Sequence, residues 1–123
     1  MLGRVDSFYT NKRSDSNYVY CMFYDSSHNV FTSRILNEIN QKYSRLKLDT
    51  LYDRFTKRLN PYSLIARSDN FPFMKKGIPA IWFFSGFHKD YHQPTDTPDK
   101  INYPLLKRRV QLVLATLWVL ANK

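Results

Sequence analysis

His92 is the residue best placed by type and context to do chemistry. It stands in Asp90-Tyr-His-Gln-Pro-Thr-Asp-Thr97, just past an apolar run, Ile78-Pro-Ala-Ile-Trp-Phe-Phe84. A neutral imidazole is a common zinc ligand, and its second ring nitrogen needs an orienting acceptor. Asp90 and Asp96 are candidates for that acceptor. Spacing alone leaves open a loop histidine with ordinary hydrogen bonds. His88 lies four residues earlier, a separation that would put both imidazoles on one face of a helix. Gly86 and Pro94 flank the pair, so the segment reads as a loop and that argument lapses. Lys89 also occupies the place where a His-Glu-x-x-His zinc motif has its glutamate. His28 falls in a turn and reads as solvated. Asp69, in Arg67-Ser68-Asp69, is a helix cap on one reading and a carboxylate near a metal on the other. A Ser-His-Asp triad is conceivable, but no G-x-S-x-G elbow exists, and Ser85-Gly86 is a weak substitute.

The elements that must position these residues follow from periodicity. Residues 17–24 are rich in β-branched and aromatic types and nearly continuous in apolar character, as in a strand covered on both faces. A turn over 25–29 leads to a helix over 30–43, with Val30, Phe31, Ile35, Leu36, Ile39 and Tyr43 on its apolar stripe. Residues 46–52 alternate as a half-buried strand, and 53–63 form a charged loop. Asp69 caps a short helix over 71–76, with Pro72 in its first turn and Gly77 ending it. Residues 78–84 are a strand, and 85–100 a mobile polar loop. A buried helix over 103–122 closes the chain, its apolar face including Leu105, Leu106, Val110, Val113, Leu114, Leu117 and Trp118. The order of elements predicts one α/β domain, a mixed sheet flanked by helices, over residues 1–123. In such sheets functional residues lie in loops beyond strand C-termini, where the His92 loop falls.

Composition narrows the classes. Of the 123 residues, 43% are hydrophobic and 16% aromatic, enough to build a core. With three glycines there is no Gly-rich phosphate loop. The net charge of +9 raises nucleic acid as a partner. The basic residues are dispersed, however, and the densest groups, Lys12-Arg13, Lys75-Lys76 and Lys107-Arg108-Arg109, read as solvated surface. The aromatics fall at core-like positions, so no nucleic-acid partner is expected. Cys21 is the one cysteine, which excludes an internal disulfide and a thiolate zinc site. Its apolar strand context reads as a buried, inert thiol. No apolar run reaches the ~20 residues of a bilayer span, and no signal peptide is visible in the first residues.

Three stretches in order carry a family resemblance: Met1-Leu-Gly-Arg-Val-Asp6; Arg67-Ser-Asp-Asn-Phe-Pro-Phe-Met-Lys-Lys-Gly-Ile-Pro-Ala-Ile-Trp-Phe83; and Asp90-Tyr-His-Gln-Pro-Thr-Asp-Thr-Pro-Asp-Lys-Ile-Asn102. Together they resemble the C-terminal half of the M28 metallopeptidases, the di-zinc aminopeptidases related to glutamate carboxypeptidase and glutaminyl cyclase. The resemblance implies that His92 is the last zinc-ligand histidine. It implies that Asp69 sits behind the ligands in the active site, and that Tyr91, Asp96 and Thr97 bind substrate or shape the ligand loop. Asn70 departs from the family, which often has His there. The family's chemistry is exopeptidase cleavage by metal-activated water on two zinc ions. Relatives are commonly secreted, periplasmic or membrane-anchored.

What is missing matters equally. The resemblance implies further ligands (a His, two Asp and a Glu) and a general-base Glu beside the ligand Glu. One ligand Asp would fall immediately before Met1. Glu38 is the only glutamate in the sequence. The expectation is therefore a C-terminal portion of a zinc exopeptidase, inactive as these 123 residues and partnered by an N-terminal half that completes the site for a peptide substrate. The competing reading is a truncated relative used as a non-catalytic binding or structural domain.

Overall fold

The computed structural model describes residues 2–7, 16–24, 29–49 and 64–122. The expected loop over 53–63 and all but the last residue of the turn over 25–29 lie outside these, as do His28 and most of the polar stretch 11–17. Strand β1 spans Tyr18–Tyr24, helix α1 Asn29–Ile39, strand β2 Lys47–Asp49, helix α2 Phe71–Lys75, strand β3 Ala80–Phe84 and helix α3 Tyr103–Ala121. The sheet order is β2-β1-β3, with β2 parallel and β3 antiparallel to the centre. It is the mixed α/β arrangement that the element order predicts.

β1 is central because both its faces are apolar. Val19 and Cys21 point into one cluster with Ile35, Leu36, Ile39, Leu46, Leu105 and Leu112. Tyr18, Tyr20 and Met22 point into a second with Phe84, against which Trp82 and Phe87 pack. The period of two thus separates a helix-covered face from an aromatic face. The Cys21 thiol is buried as expected. Burial, with the Asp49 carboxylate adding, pushes its pKa up to about 12.

α1 presents Ile35, Leu36 and Ile39 to the core and leaves Arg34, Asn37 and Glu38 outside. Its end differs from the sequence reading. A π-helical turn over Asn40–Ser44 carries the chain to Arg45, at φ 49. The wider turn brings Asn40 and Ser44 inward and sends Tyr43 out to 53% exposure, where an unbroken α-helical stripe would have buried it. The Asn40 side chain then aligns the entry to β2: its amide donates to the Leu46 carbonyl at 2.7 Å, and its oxygen accepts from the Leu46 N–H at 2.9 Å.

The N-cap of α2 is Asn70, not Asp69, and no side-chain hydrogen bond caps the helix. Asp69 is exposed, so its expected role as a cap is corrected. Gly77 ends the helix as expected, at φ +72, with its N–H on the Met74 carbonyl at 2.9 Å.

α3 is the largest departure. Asn102 caps it, accepting from the Leu105 N–H at 3.1 Å. The buried row is Leu105, Arg109, Leu112 and Thr116. Val110, Leu114, Leu117 and Trp118, expected on the buried face, are exposed, Trp118 to 69%. The helix is apolar nearly all round, and its rotation is set by Arg109. That guanidinium donates from Nε to the Tyr18 carbonyl at 2.9 Å. Its Nη1 reaches the Leu2 and Arg4 carbonyls, each at 2.7 Å. It also lies 5.1 Å from the Tyr18 ring centroid. Satisfying a buried cation fixes the helix more firmly than choosing among similar leucines. The basic group at 107–109 is thus not all solvated surface: Arg109 is fully buried, and Arg108 is half-buried with its guanidinium on the Ser44 and Arg45 carbonyls.

Candidate functional site

The loop after β3 reaches His92 through buried ground. Tyr18, on the central strand, donates its hydroxyl to the Ser85 carbonyl at 2.9 Å and accepts the Asp6 N–H at 2.7 Å. Tyr20 donates to Asp6 Oδ2 at 3.2 Å. The buried Asp6 therefore joins the segment 2–7 to the end of β3. Gly86 passes directly over it at φ +91, where a Cβ would stand 2.2 Å from Asp6 Oδ2. The Ser7 N–H donates to the Phe87 carbonyl at 2.8 Å and closes this join. The mobile polar loop of the sequence reading is, in its first half, a packed one: Ser85, Gly86, His88 and Asp90 are buried.

Beyond this lies the turn with His92. The Gln93 N–H donates to the Asp90 carbonyl at 2.9 Å, which closes a four-residue turn with Tyr91 and His92 at its centre. His92 has φ 57, an uncommon state for a residue with a side chain. Its exposed ring stacks on Tyr91, centroids 4.1 Å apart and planes 13° apart. Tyr91 is held in turn by edge contacts from Phe87 at 5.0 Å and His88 at 6.0 Å.

Charges grip the turn on both sides. Arg4 reaches Asp90 Oδ2 and Asp96 Oδ1 with different guanidinium nitrogens, each at 2.6 Å. Lys100 donates to Asp90 Oδ1 at 2.9 Å and to the Thr95 carbonyl at 2.6 Å. The Lys100 ammonium, with Thr95 and Arg4, holds the Asp90 carboxyl far below the usual carboxylate range. Neither Asp90 nor Asp96 orients His92, as the sequence reading allowed; both are committed to Arg4. Thr97 stands at the N-cap of the 3-10 turn Pro98–Lys100, and its neighbouring hydroxyl lowers the pKa of Asp99. A cavity of about 370 Å³ beside these ion pairs is lined by Leu2, Gly3, Arg4, Asp96, Thr97 and Ile101, among others.

His88 is buried at 4% exposure, and neither ring nitrogen has a hydrogen-bond partner among the described residues. Asp96 Oδ2 lies 3.8 Å from its Nε2. Burial first, then the Arg4 charge, lowers its pKa, so it is neutral at pH 7.

The structure thus gathers Tyr91, His92, Asp96 and Thr97 in one loop, while Asp69 stands exposed beside α2. Sequence reasoning missed Arg4, Lys100 and Arg109 as the groups that organise the site. Ion pairs 86 and 92 residues apart leave no periodic trace. The donor set does not amount to a zinc centre. Among the described residues no group of three or more His, Cys, Asp or Glu side chains could hold a metal ion. His92 offers one imidazole, and the neighbouring carboxylates are neutralised by Arg4 and Lys100. Glu38, the one glutamate, lies on exposed α1 and pairs with Arg34 at 3.1 Å. No described helix is long and apolar enough to cross a membrane.

No curated protein and no solved structure matches the chain. The sequence model of peptidase family M28 matches residues 12–117. That match runs from before β1 into α3, takes in the whole His92 loop, and agrees with the mixed sheet: the chain belongs to peptidase family M28, a family of metallopeptidases that are generally zinc-dependent.

Proposed function

We propose that these 123 residues are the C-terminal portion of a zinc-dependent exopeptidase of aminopeptidase type, which hydrolyses peptide bonds with metal-activated water. In this reading His92 supplies one zinc ligand, and the remaining ligands and the general-base glutamate come from polypeptide outside residues 1–123. Asp69 would sit behind the ligands, and Tyr91, Asp96 and Thr97 would shape the substrate side. One observation carries the reading. His92 is lifted into a left-handed turn beyond the end of β3, with an exposed imidazole, on a loop that is otherwise clamped by buried bonds and ion pairs. Uncommon backbone states held in place by their surroundings cluster at functional sites. An isolated imidazole is a weak zinc site, since catalytic zinc takes three protein ligands. The 123 residues alone are therefore inactive in this reading.

The test is the DNA upstream of the Met1 codon. The expected result is an in-frame extension with a His, an adjacent Glu-Glu pair and an Asp directly before Met1. The extended protein should then release amino acids from peptide substrates and lose that activity under a chelator. A stop codon and start signals directly upstream would overturn the reading in favour of a non-catalytic relative.

A further inference from the structure

We propose that Arg4 is the positioning residue of His92, a clasp whose single guanidinium holds Asp90, the first residue of the turn that carries the imidazole, to Asp96 beyond it. The inference rests on the reading of His92 as a metal ligand. Asp90 and Asp96 bracket His92 in sequence, two residues before it and four after it. Arg4 bonds both, each at 2.6 Å, with its side chain only 12% exposed. The clasp is itself anchored: the Arg4 carbonyl accepts from Arg109, which reaches it from the buried row of α3 at 2.7 Å. Rigid helix, buried arginine, segment 2–6, guanidinium and turn therefore form one chain of contacts.

The turn needs such a hold. A non-glycine residue at φ 57 sits in a sparsely populated state and persists where its surroundings over-determine it. Within the turn, the Gln93–Asp90 hydrogen bond and the Tyr91 stack are the local restraints. Lys100 also spans the segment, from Asp90 to the Thr95 carbonyl, but it leaves the Asp96 carboxylate to Arg4. Asp96 is partly exposed, and its other neighbour, His88, is 3.8 Å away and neutral at pH 7. Without Arg4 the Asp96 carboxylate, beyond the turn, loses its ion pair. A lysine at position 4 would not substitute, because an ammonium is a point charge without the guanidinium's planar fork.

The test compares Arg4→Lys and Arg4→Gln with the unaltered 123-residue chain by NMR. Two readouts report on the turn: the strong intraresidue HN–Hα contact of a left-handed His92, and the exchange rate of the Gln93 amide. In both variants the His92 signature should vanish. Gln93 exchange should quicken roughly tenfold or more, as expected when a charge-assisted hydrogen bond is lost, while the Val19 and Cys21 amides in β1 stay as protected as before. If Arg4→Lys preserves both readouts, the residue acts merely as a charge and the proposal is overturned. Retention in Arg4→Gln overturns it outright. Should Arg4→Gln also lose β1 protection, Asp96→Ala decides, since it removes one arm at the partly exposed end: loss of the signature supports the clasp, and retention refutes it. These readouts involve no metal, so they judge the clasp alone. A zinc titration of His92→Ala in the extended protein judges the ligand reading separately.

Discussion

Replacing Gly86 with alanine should be among the most damaging single-methyl changes in this chain. The new Cβ would lie 2.2 Å from Asp6 Oδ2 and 2.4 Å from Asp6 Cβ and Cγ. Asp6 has nowhere to go: it is 1% exposed, and its N–H and carboxylate are bonded to Tyr18 and Tyr20. A side chain at φ +91 costs about 1–2 kcal/mol. Forcing extra volume into a packed site costs about 1–3 kcal/mol, and each disturbed hydrogen bond about 1 kcal/mol. Allowing for overlap, the loss is roughly 3–5 kcal/mol, a large share of the ~5–15 kcal/mol that holds a domain together. Gly77→Ala is the control. It shares a positive φ but meets nothing within 4 Å, so it should cost only about 1–2 kcal/mol. Urea unfolding followed by tryptophan fluorescence measures both. If Gly86→Ala costs no more than Gly77→Ala, the close approach to Asp6 does not constrain the loop, and the reasoning fails. Asp6→Gly in the Gly86→Ala background should recover part of the loss, because it removes the atoms that clash.

Other consequences follow from the same contacts. Arg109→Met keeps the volume on α3 but orphans the Tyr18, Leu2 and Arg4 carbonyls; about 3–5 kcal/mol of stability should go, read as a fall in the urea midpoint. A near-neutral result would remove Arg109 as the element that sets the helix. His88 is held neutral, its folded pKa below the ordinary 6.5. The unfolded chain therefore binds its proton first, and stability should fall as pH drops from 7 towards 5. His88→Phe should flatten that limb, and an unchanged slope would contradict the burial. Cys21, with a pKa of about 12 against an ordinary 9.0, has the opposite dependence. Its contribution is complete below pH 9 and is lost as pH rises towards 12, and the thiol should resist alkylation until the chain unfolds. Rapid labelling in the folded state would show that β1 is not closed.

The legible part of the fold is the local part. β1 and β3 announce themselves by β-branched and aromatic runs, and Gly77 marks the end of α2 because few other residues take its backbone angle at no cost. The phase of α3 was not legible. Leucines and valines surround that helix, and the choice among faces is made by Arg109 meeting carbonyls about ninety residues or more away. The π-turn that expels Tyr43 is invisible for a related reason, since it depends on how Asn40 meets Leu46 once α1 is packed. In the site, the sequence pointed to His92 and to the loop around it. It did not point to Arg4, whose partners are brought close only when segment 2–6 lies beside the end of β3. Asp69 shows the reverse: its sequence context suggested a cap, but the first helical hydrogen bond runs from the Met74 N–H to the Asn70 carbonyl, one residue later.

The central question is whether His92 is one ligand of a zinc centre that residues 1–123 do not complete. Zinc titration against a competing chelator decides it, run on the 123-residue chain, on the protein extended upstream, and on that protein with His92→Ala. The expected result is no tight zinc binding by the 123 residues, tight binding by the extended protein, and a large loss of affinity and peptidase activity on His92→Ala. Tight zinc binding by the 123 residues alone, or full zinc affinity and peptidase activity after His92→Ala, would contradict it.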